Sequence, residues 1–308
     1  MKIVTLIPSA TEIVSFLGQK KCIVGRSHEC DFPKDLSKVI KITEPKINVE
    51  GSSLEIHNQL EVILKNSLSV YKVHLGELKK LKPDFIVTQS HCEVCAVSFA
   101  EVERITKNHL GKNTQIISLQ PNSLKEVFDD IKRVAKMLKV ENNHNMKLIN
   151  NLEMRLDTIK KKTKNLKKQK ILCVEWINPL MAAENWMPEM SEIAGGEDIL
   201  GKSGVDSHWI NFDDIRMNEP EHIVFMPCGF NINKTKYEVI QLIEENNSWK
   251  NLRAYKNKKF YITDGNQYFN RPGPRLIDSI EILSEIFHPN LFNFGHKGNG
   301  WINFFGKE

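Results

Sequence analysis

A seven-residue pattern occurs once in each half of this chain: L-K-P-D-F-I-V at residues 81–87 and N-E-P-E-H-I-V at 218–224. In each copy a proline and an acidic residue lead into an apolar, β-branched run. Such a run reads as a buried strand entered from a turn. Each copy follows a short helical segment, and each leads to a cysteine, Cys92 after Val87 and Cys228 after Val224. A chain of 308 residues, 41% hydrophobic, is long enough for two cores of about 150 residues each. The expectation is therefore an α/β fold of two lobes.

Around these copies, strands are predicted at 2–7, 22–25, 85–87, 115–119, 170–176, 223–225 and 260–263. Pro8 ends the first, and S-A-T-E at 9–12 predicts a capping box for the helix that follows, with Gly18 as its stop. Helices are expected at 53–66, 75–81, 99–109, 188–193, 213–217, 234–245 and 274–286. Residues 31–53, with Pro33, Pro45 and Gly51, read as one long loop. Leu124, Val127, Phe128, Ile131, Val134, Ala135 and Leu138 follow the helical period over 123–139. The same period over 146–166, with a heavily charged opposite face, suits a helix bridging two lobes. The expected division is a first lobe at 1–140, a bridging helix at 141–168 and a second lobe at 169–308. No element is assigned to the aromatic and glycine-rich tail at 290–308.

Open α/β sheets bind ligands outside the carboxyl ends of their strands. His91, Cys92 and Cys95 stand at such an end, as do His28 and Cys30, Glu175 and Trp176, and Cys228. Cys30, Cys92, Cys95 and Cys228 are expected to converge, where thiolates would select zinc, an iron–sulfur cluster or cuprous copper. Thiols lining a pocket for another ligand fit the spacing equally well. His28 and His91 are reserve ligands. Cys22 and Cys173 lie in apolar strand runs and are expected in the core. Asn270, Arg271 and Arg275 belong to N-R-P-G-P-R at 270–275, which could pair an anion or simply open a helix. Ser9 has the capping role, and the free N–H groups beside it could also hold an anion. Trp176, Trp186, Trp209, Tyr268 and Phe269 could line a flat apolar pocket or pack as core.

G-E-D-I-L-G-K-S at 196–203 matches the phosphate-loop pattern letter for letter. It follows a helix rather than a strand and carries two acids, so that reading is rejected. The lysine-rich run at 160–170 contributes much of the net charge of +5 and reads as a solvated helix end. No aromatics interleave it, which argues against nucleic acid as a partner. No run is long enough to span a bilayer. No export signal is read at the start, so a cytoplasmic protein is expected. There, six cysteines are thiols or ligands rather than disulfides.

I-V-T-L-I-P-S-A-T-E-I at 3–13 and L-K-P-D-F-I-V at 81–87 resemble the two hallmark segments of iron-chelate/cobalamin substrate-binding proteins. The likeness covers nearly the whole chain. It implies two Rossmann-like lobes, each with a small parallel sheet, joined by one rigid helix. It further implies a corrinoid or metal chelate held in the cleft and handed to an ABC importer without catalysis. R-S-H-E-C-D at 26–31, C-E-V-C-A-V-S at 92–98, M-P-C-G-F at 226–230 and F-N-R-P-G-P at 269–274 are similar to a leaderless, cysteine-rich subgroup. Members that serve importers are exported or lipid-anchored, so the expected partner is the small-molecule ligand rather than a transporter. The function expected from this resemblance is a cytoplasmic protein binding cobalamin, a related corrinoid or a metal chelate, whose cobalt a His or thiolate could ligate. The alternative is an enzyme on the same fold with cysteine-ligated zinc or an iron–sulfur cluster and Glu175 or Glu93 as acid/base. A metal or redox store without catalysis is the third possibility.

Overall fold

A computed structural model describes residues 1–65, 69–90 and 97–306. It has two compact units. The first holds residues 1–51, 55–121 and 125–149, and the second holds 52–54, 122–124 and 150–308.

The strands of the first unit are β1 (Ile3–Thr5), β2 (Ile23–Arg26), β3 (Thr43–Pro45), β4 (Tyr71–Val73), β5 (Phe85–Gln89) and β6 (Gln115–Leu119). Four of them form a parallel sheet in the order β2-β1-β5-β6, and β3 pairs with β4 antiparallel. The second unit has β7 (Gln169–Trp176), β8 (Met181–Ala182), β9 (Gly196–Asp198), β10 (His222–Phe225), β11 (Phe260–Thr263) and β12 (Trp301–Asn303). Its parallel strands run β9-β7-β10-β11, and β8 and β12 add antiparallel edges. Counted along the parallel strands alone, both units have the second strand beside the first and the third on its other side. The order therefore reverses between β1 and β5 in one unit, and between β7 and β10 in the other. Such a reversal opens a crevice at the carboxyl ends of the strands.

The helices are α1 (Pro8–Phe16), α2 (Ser53–Lys65), α3 (Leu75–Leu81), α4 (Phe99–Ile105), α5 (Leu124–Met137), α6 (Asn143–Thr163), α7 (Met187–Ile193), α8 (Phe212–Asn218), α9 (Ile232–Glu245), α10 (Arg253–Lys256) and α11 (Leu276–Phe287). The boundary between the units falls inside α6. None of the described helices is long and apolar enough to cross a membrane.

The repeated heptapeptide is one backbone device used twice. Helix α3 ends at Lys82 (φ 46°, ψ 64°) and α8 ends at Glu219 (φ 47°, ψ 60°), both left-handed and both followed by proline. The next residue hydrogen-bonds across to the first strand of its own sheet. Asp84 N–H donates to Lys2 O (2.9 Å), and Glu221 N–H donates to Lys170 O (2.7 Å). The side chains reciprocate: Lys2 N–H donates to the Asp84 carboxylate (2.7 Å) and Lys170 N–H to that of Glu221 (3.4 Å).

Alternating apolar residues then fill each core. Val4, Leu6, Ile86 and Leu78 pack in the first unit. In the second, Leu172, Val174, Ile223, Phe225 and Phe260 pack with Trp249. Helix α11 is buried almost all round, including Glu281 (6% exposed) and Glu285 (3%). A buried carboxylate needs partners. Glu281 finds Arg155 (2.8 Å) and His296 (2.9 Å). Glu285 accepts from Trp301 Nε1 (2.7 Å) and from the backbone N–H groups of Phe294, Gly295 and His296. These bonds place the tail: it folds over α11 and ends as β12 on β11.

Several sequence expectations change. No capping box forms at Ser9, because Pro8 occupies the first helical turn and Ile7 is an extended N-cap without a side-chain bond. Proline is preorganised for that position and has no N–H to satisfy. The stretch 31–53 is not one loop: it contains β3 and a 3₁₀ turn at Lys34–Lys38. Cys22 is not core; it sits part-exposed on a 3₁₀ turn, its thiol toward Gln19 Oε1 (3.6 Å). Cys173 is fully buried, as expected. Residues 196–198 form a strand, which agrees with rejecting a phosphate loop there.

Candidate functional site

In the first unit, the loop after β2 is shaped by Arg26, which is 5% exposed. Its guanidinium donates to the carbonyls of Leu36 (3.1 Å), Ser27 (3.2 Å), Cys30 (2.7 Å) and Ser37 (3.2 Å). A planar fork with five donors can collect a loop in this way. The arginine of R-S-H-E-C-D therefore builds the loop and is spent inside it. Cys30 is 2% exposed, and Thr11 Oγ1 on α1 donates to its sulfur (2.9 Å). Thr11 Oγ1 also lies 2.6 Å from Thr5 Oγ1 at the end of β1. Cys30 is thus held beside the first turns of α1. Ser9 is fully buried there, and its hydroxyl has no hydrogen-bond partner.

His28 is fixed by its other neighbours. Its backbone N–H donates to Thr43 Oγ1 (3.1 Å), and its Nδ1 lies 2.7 Å from the same oxygen. Thr43 Oγ1 donates its own proton to Ser27 Oγ (3.1 Å). Nδ1 must then be the donor to Thr43, which leaves a lone pair on Nε2. Nε2 is sealed and unpartnered. Burial, with the charges of Lys41 and Arg26, holds the His28 pKa down at about 4, so the ring is neutral near pH 7. Its face tilts against Tyr71 (5.1 Å), whose hydroxyl donates to Glu29 (2.8 Å). β3 and β4 supply Thr43 and Tyr71, so the unforeseen strand pair is what orients His28.

His91, Cys92, Cys95 and Glu93 lie outside the described residues. Ser90, the last described residue before them, directly follows β5.

In the second unit, Glu175 and Trp176 end β7, and Cys228 follows β10 across the equivalent reversal. Cys228 is half-buried, and its N–H donates to Glu175 O (3.2 Å). Trp176 Nε1 donates to Ser53 O (3.2 Å), and its ring tilts against Phe230 (5.2 Å). Both amide hydrogens of Asn270 go to backbone carbonyls, of Met226 (2.9 Å) and Gly265 (3.0 Å), so only its carbonyl oxygen remains for a ligand. Arg271 is 6% exposed and donates to Asn266 Oδ1 (2.9 Å). Gly265 permits this approach: a Cβ there would stand 2.2 Å from Pro227 O. Of the aromatic residues, Trp186 and Phe269 are core, joined by Trp186 Nε1–H to Phe269 O (2.8 Å), while Trp209 is exposed.

The second unit also holds a group that sequence reasoning left unassigned. Ser207 Oγ donates to Glu175 Oε2 (2.7 Å). Next to it, His208 Nδ1 donates to the carboxylate of Glu184, whose side chain is 1% exposed. Burial pushes the Glu175 carboxyl up; the Ser207 bond opposes this, and the charge of Glu184 adds to it. Glu184 and His208 are 24 residues apart and meet only through antiparallel pairing, so no spacing pattern announces them.

Cys30 lies in the first unit and Cys228 in the second. Among the described residues no three His, Cys, Asp or Glu side chains gather as a metal-binding group. An open groove of about 500 Å³ in the second unit, lined by Lys160, Lys164, Lys168, Glu189 and Glu192, lies away from these strand ends.

An uncharacterized ABC transporter substrate-binding lipoprotein of Bacillus subtilis (strain 168) is 24% identical over 304 residues, covering 94% of this chain and 81% of its own. The crystal structure of the periplasmic vitamin B12 binding protein BtuF of Vibrio cholerae is similar with a TM-score of 0.65 and 18% identity, covering 92% of this chain and 95% of its own. A periplasmic heme binding protein from Pseudomonas aeruginosa gives a TM-score of 0.68 at 17% identity, covering 94% of this chain and 93% of its own. Those two likenesses show the α/β fold. The sequence pattern of the periplasmic binding protein family matches residues 3–267, and this chain belongs to that family.

Proposed function

We propose that the chain is a non-catalytic binding protein whose cargo is a metal chelate, and that the cargo is cobalamin or a related corrinoid. The observation that carries this reading is the family match over residues 3–267, which spans all the strand ends described above. Similar proteins are named for binding vitamin B12 and heme, both metals in planar macrocycles. The chemistry of this chain suits such cargo. His28 carries a neutral imidazole and Cys30 a soft sulfur, although Nε2 and Cys30 are both buried in the loop after β2. Both donor types bind cobalt or iron.

The test is purification without oxygen, followed by metal analysis, a visible spectrum and titration with aquocobalamin, hemin and a ferric catecholate chelate. Binding of aquocobalamin in preference to the other two supports the proposal. Preference for hemin or the catecholate keeps the metal-chelate class and overturns the corrinoid. Failure to bind all three, with zinc or an iron–sulfur cluster retained, overturns the reading in favour of a cysteine-ligated metalloprotein.

A further inference from the structure

We infer that the end of α6 and the start of the tail, both in the second unit, form a docking surface for an anionic phospholipid bilayer, whichever cargo is bound. The backbone sets the position first. Helix α6 ends at Thr163, and β7 begins at Gln169. Lys160, Lys161, Lys162, Lys164, Lys167 and Lys168 lie across that turn, all of them exposed. Lysines in a last turn complement a helix C-terminus. That accounts for Lys160, Lys161 and Lys162, but Lys164, Lys167 and Lys168 stand beyond the helix. Among the described residues, Lys168 alone of these six forms an ion pair, with Glu192.

Apolar side chains stand beside this charge. Leu166 (36% exposed) lines the open groove of about 500 Å³ together with Lys160, Lys164 and Lys168. Gly195 lines it too, and a Cβ there would stand 2.3 Å from His288 Nε2, so the groove wall runs onto the tail. His288 meets the ring of Phe292 (6.5 Å), Lys162 Nζ lies 5.5 Å from that ring, and Phe292 stacks on Phe294 (5.6 Å). Phe294 (41% exposed) and Leu291 (43%) are left in water. The two carboxylates of the groove are already engaged: Glu189 accepts from Leu124 N–H (3.1 Å), and Glu192 holds Lys168. Unpaired ammonium groups beside exposed phenylalanine and leucine suit a bilayer interface. There the headgroup phosphates take the charge, and the acyl boundary takes the apolar side chains. A solvated helix end has no use for Phe294 and Leu291 in water. Nucleic acid fits less well, because Phe292 is buried and its face is covered by Phe294 rather than open to a base.

The experiment is sedimentation of the whole chain with vesicles of phosphatidylglycerol and phosphatidylcholine in equal parts, and with phosphatidylcholine alone, at low and high salt. Circular dichroism and tryptophan emission verify that each variant is folded. Wild type is expected to bind the anionic vesicles and to leave them as salt rises. Each lysine near such a surface is worth about fivefold in affinity, so Lys160→Ala/Lys164→Ala/Lys167→Ala should bind about a hundredfold more weakly. Leu166→Gln/Phe294→Ser should weaken binding about tenfold or more and keep its salt dependence. Lys79→Ala/Lys80→Ala/Lys107→Ala removes the same charge from the first unit and should bind as wild type does. A wild type that stays in solution, or that binds phosphatidylcholine equally well, overturns the inference. An equal loss in the first-unit variant overturns it as well, because net charge would then explain the binding. Displacement from the vesicles by poly(U) at matching affinity overturns the bilayer in favour of nucleic acid.

Discussion

Asp198 offers a sharp test of how the second unit is built. It ends β9, and its Oδ1 accepts from the N–H groups of Leu200 (3.3 Å) and Gly201 (3.0 Å). Oδ2 is sealed, and the buried Cys173 interacts with the carboxyl. Burial raises its pKa from 3.8 to about 6, and the bonds from Gly201, Leu200 and Cys173 offset this only in part. A carboxyl whose folded pKa is raised binds its proton more tightly when folded. Its ionisation therefore costs stability, with the full cost present above pH 6 and none below pH 3.8. The rise from 3.8 to about 6 is worth about 3 kcal/mol, most of which develops between pH 4 and 7.5. Asp198→Asn removes the ionisation and keeps the Oδ1 acceptor. Its buried amide adds a cost that does not vary with pH, so the readout is the change in the difference between variant and wild type. All five tryptophans lie in the second unit, so their emission during urea unfolding reports that unit. The variant should gain about 2 kcal/mol relative to wild type on going from pH 4 to 7.5. A difference that stays constant over that range refutes a buried, proton-holding Asp198.

Glu285→Ala strands the Trp301 indole N–H and three tail amides; it should cost about 3 kcal/mol in urea unfolding and speed tryptic cleavage after Lys297, whereas an unmoved midpoint contradicts the tail placement. Gly265→Ala pushes a methyl into the carbonyls of Pro227 and Met226, which are backbone and cannot swing aside. A loss of about 2 kcal/mol is expected in the same assay, and full stability would show that the loop does not approach so closely. The His28 ring should titrate near pH 4 by proton NMR rather than near 6.5. Because that pKa is lowered, His28 costs stability as pH falls from 6.5 toward 4, and His28→Asn should flatten this part of the profile.

The fold was most legible where strands carry long apolar runs. The elements at 115–119, 260–263 and 75–81 coincide with β6, β11 and α3 to the residue. β3, β4, β8 and β12 escaped because two or three residues, including Pro45 in one case, have no periodicity to detect. Their pairing is decided by tertiary neighbours. The sequence also could not rank Pro8 above Ser9 as the determinant of the α1 start, since both are good helix-start residues. For the site, Cys30, His28, Glu175, Trp176 and Cys228 were visible as polar or soft residues just past apolar runs. Arg26 was visible only as a motif letter; its use as a loop clamp depends on carbonyls ten and eleven residues away. His208 and Glu184 carried no signal at all, because a fold-back brings them together.

The paired carboxylates at Asp84 and Glu221 have a consequence for assembly. Parallel neighbours lack a hairpin to set their alignment, so each sheet could slide by two residues and still hide its apolar faces. Gripping the Lys2 or Lys170 amide at the start of the adjacent strand opposes that slip. Each grip is self-contained, Lys2 with Asp84 on one side of the Ile149/Asn150 boundary and Lys170 with Glu221 on the other. A gene cut at that junction would leave both alignment keys whole, one in each fragment.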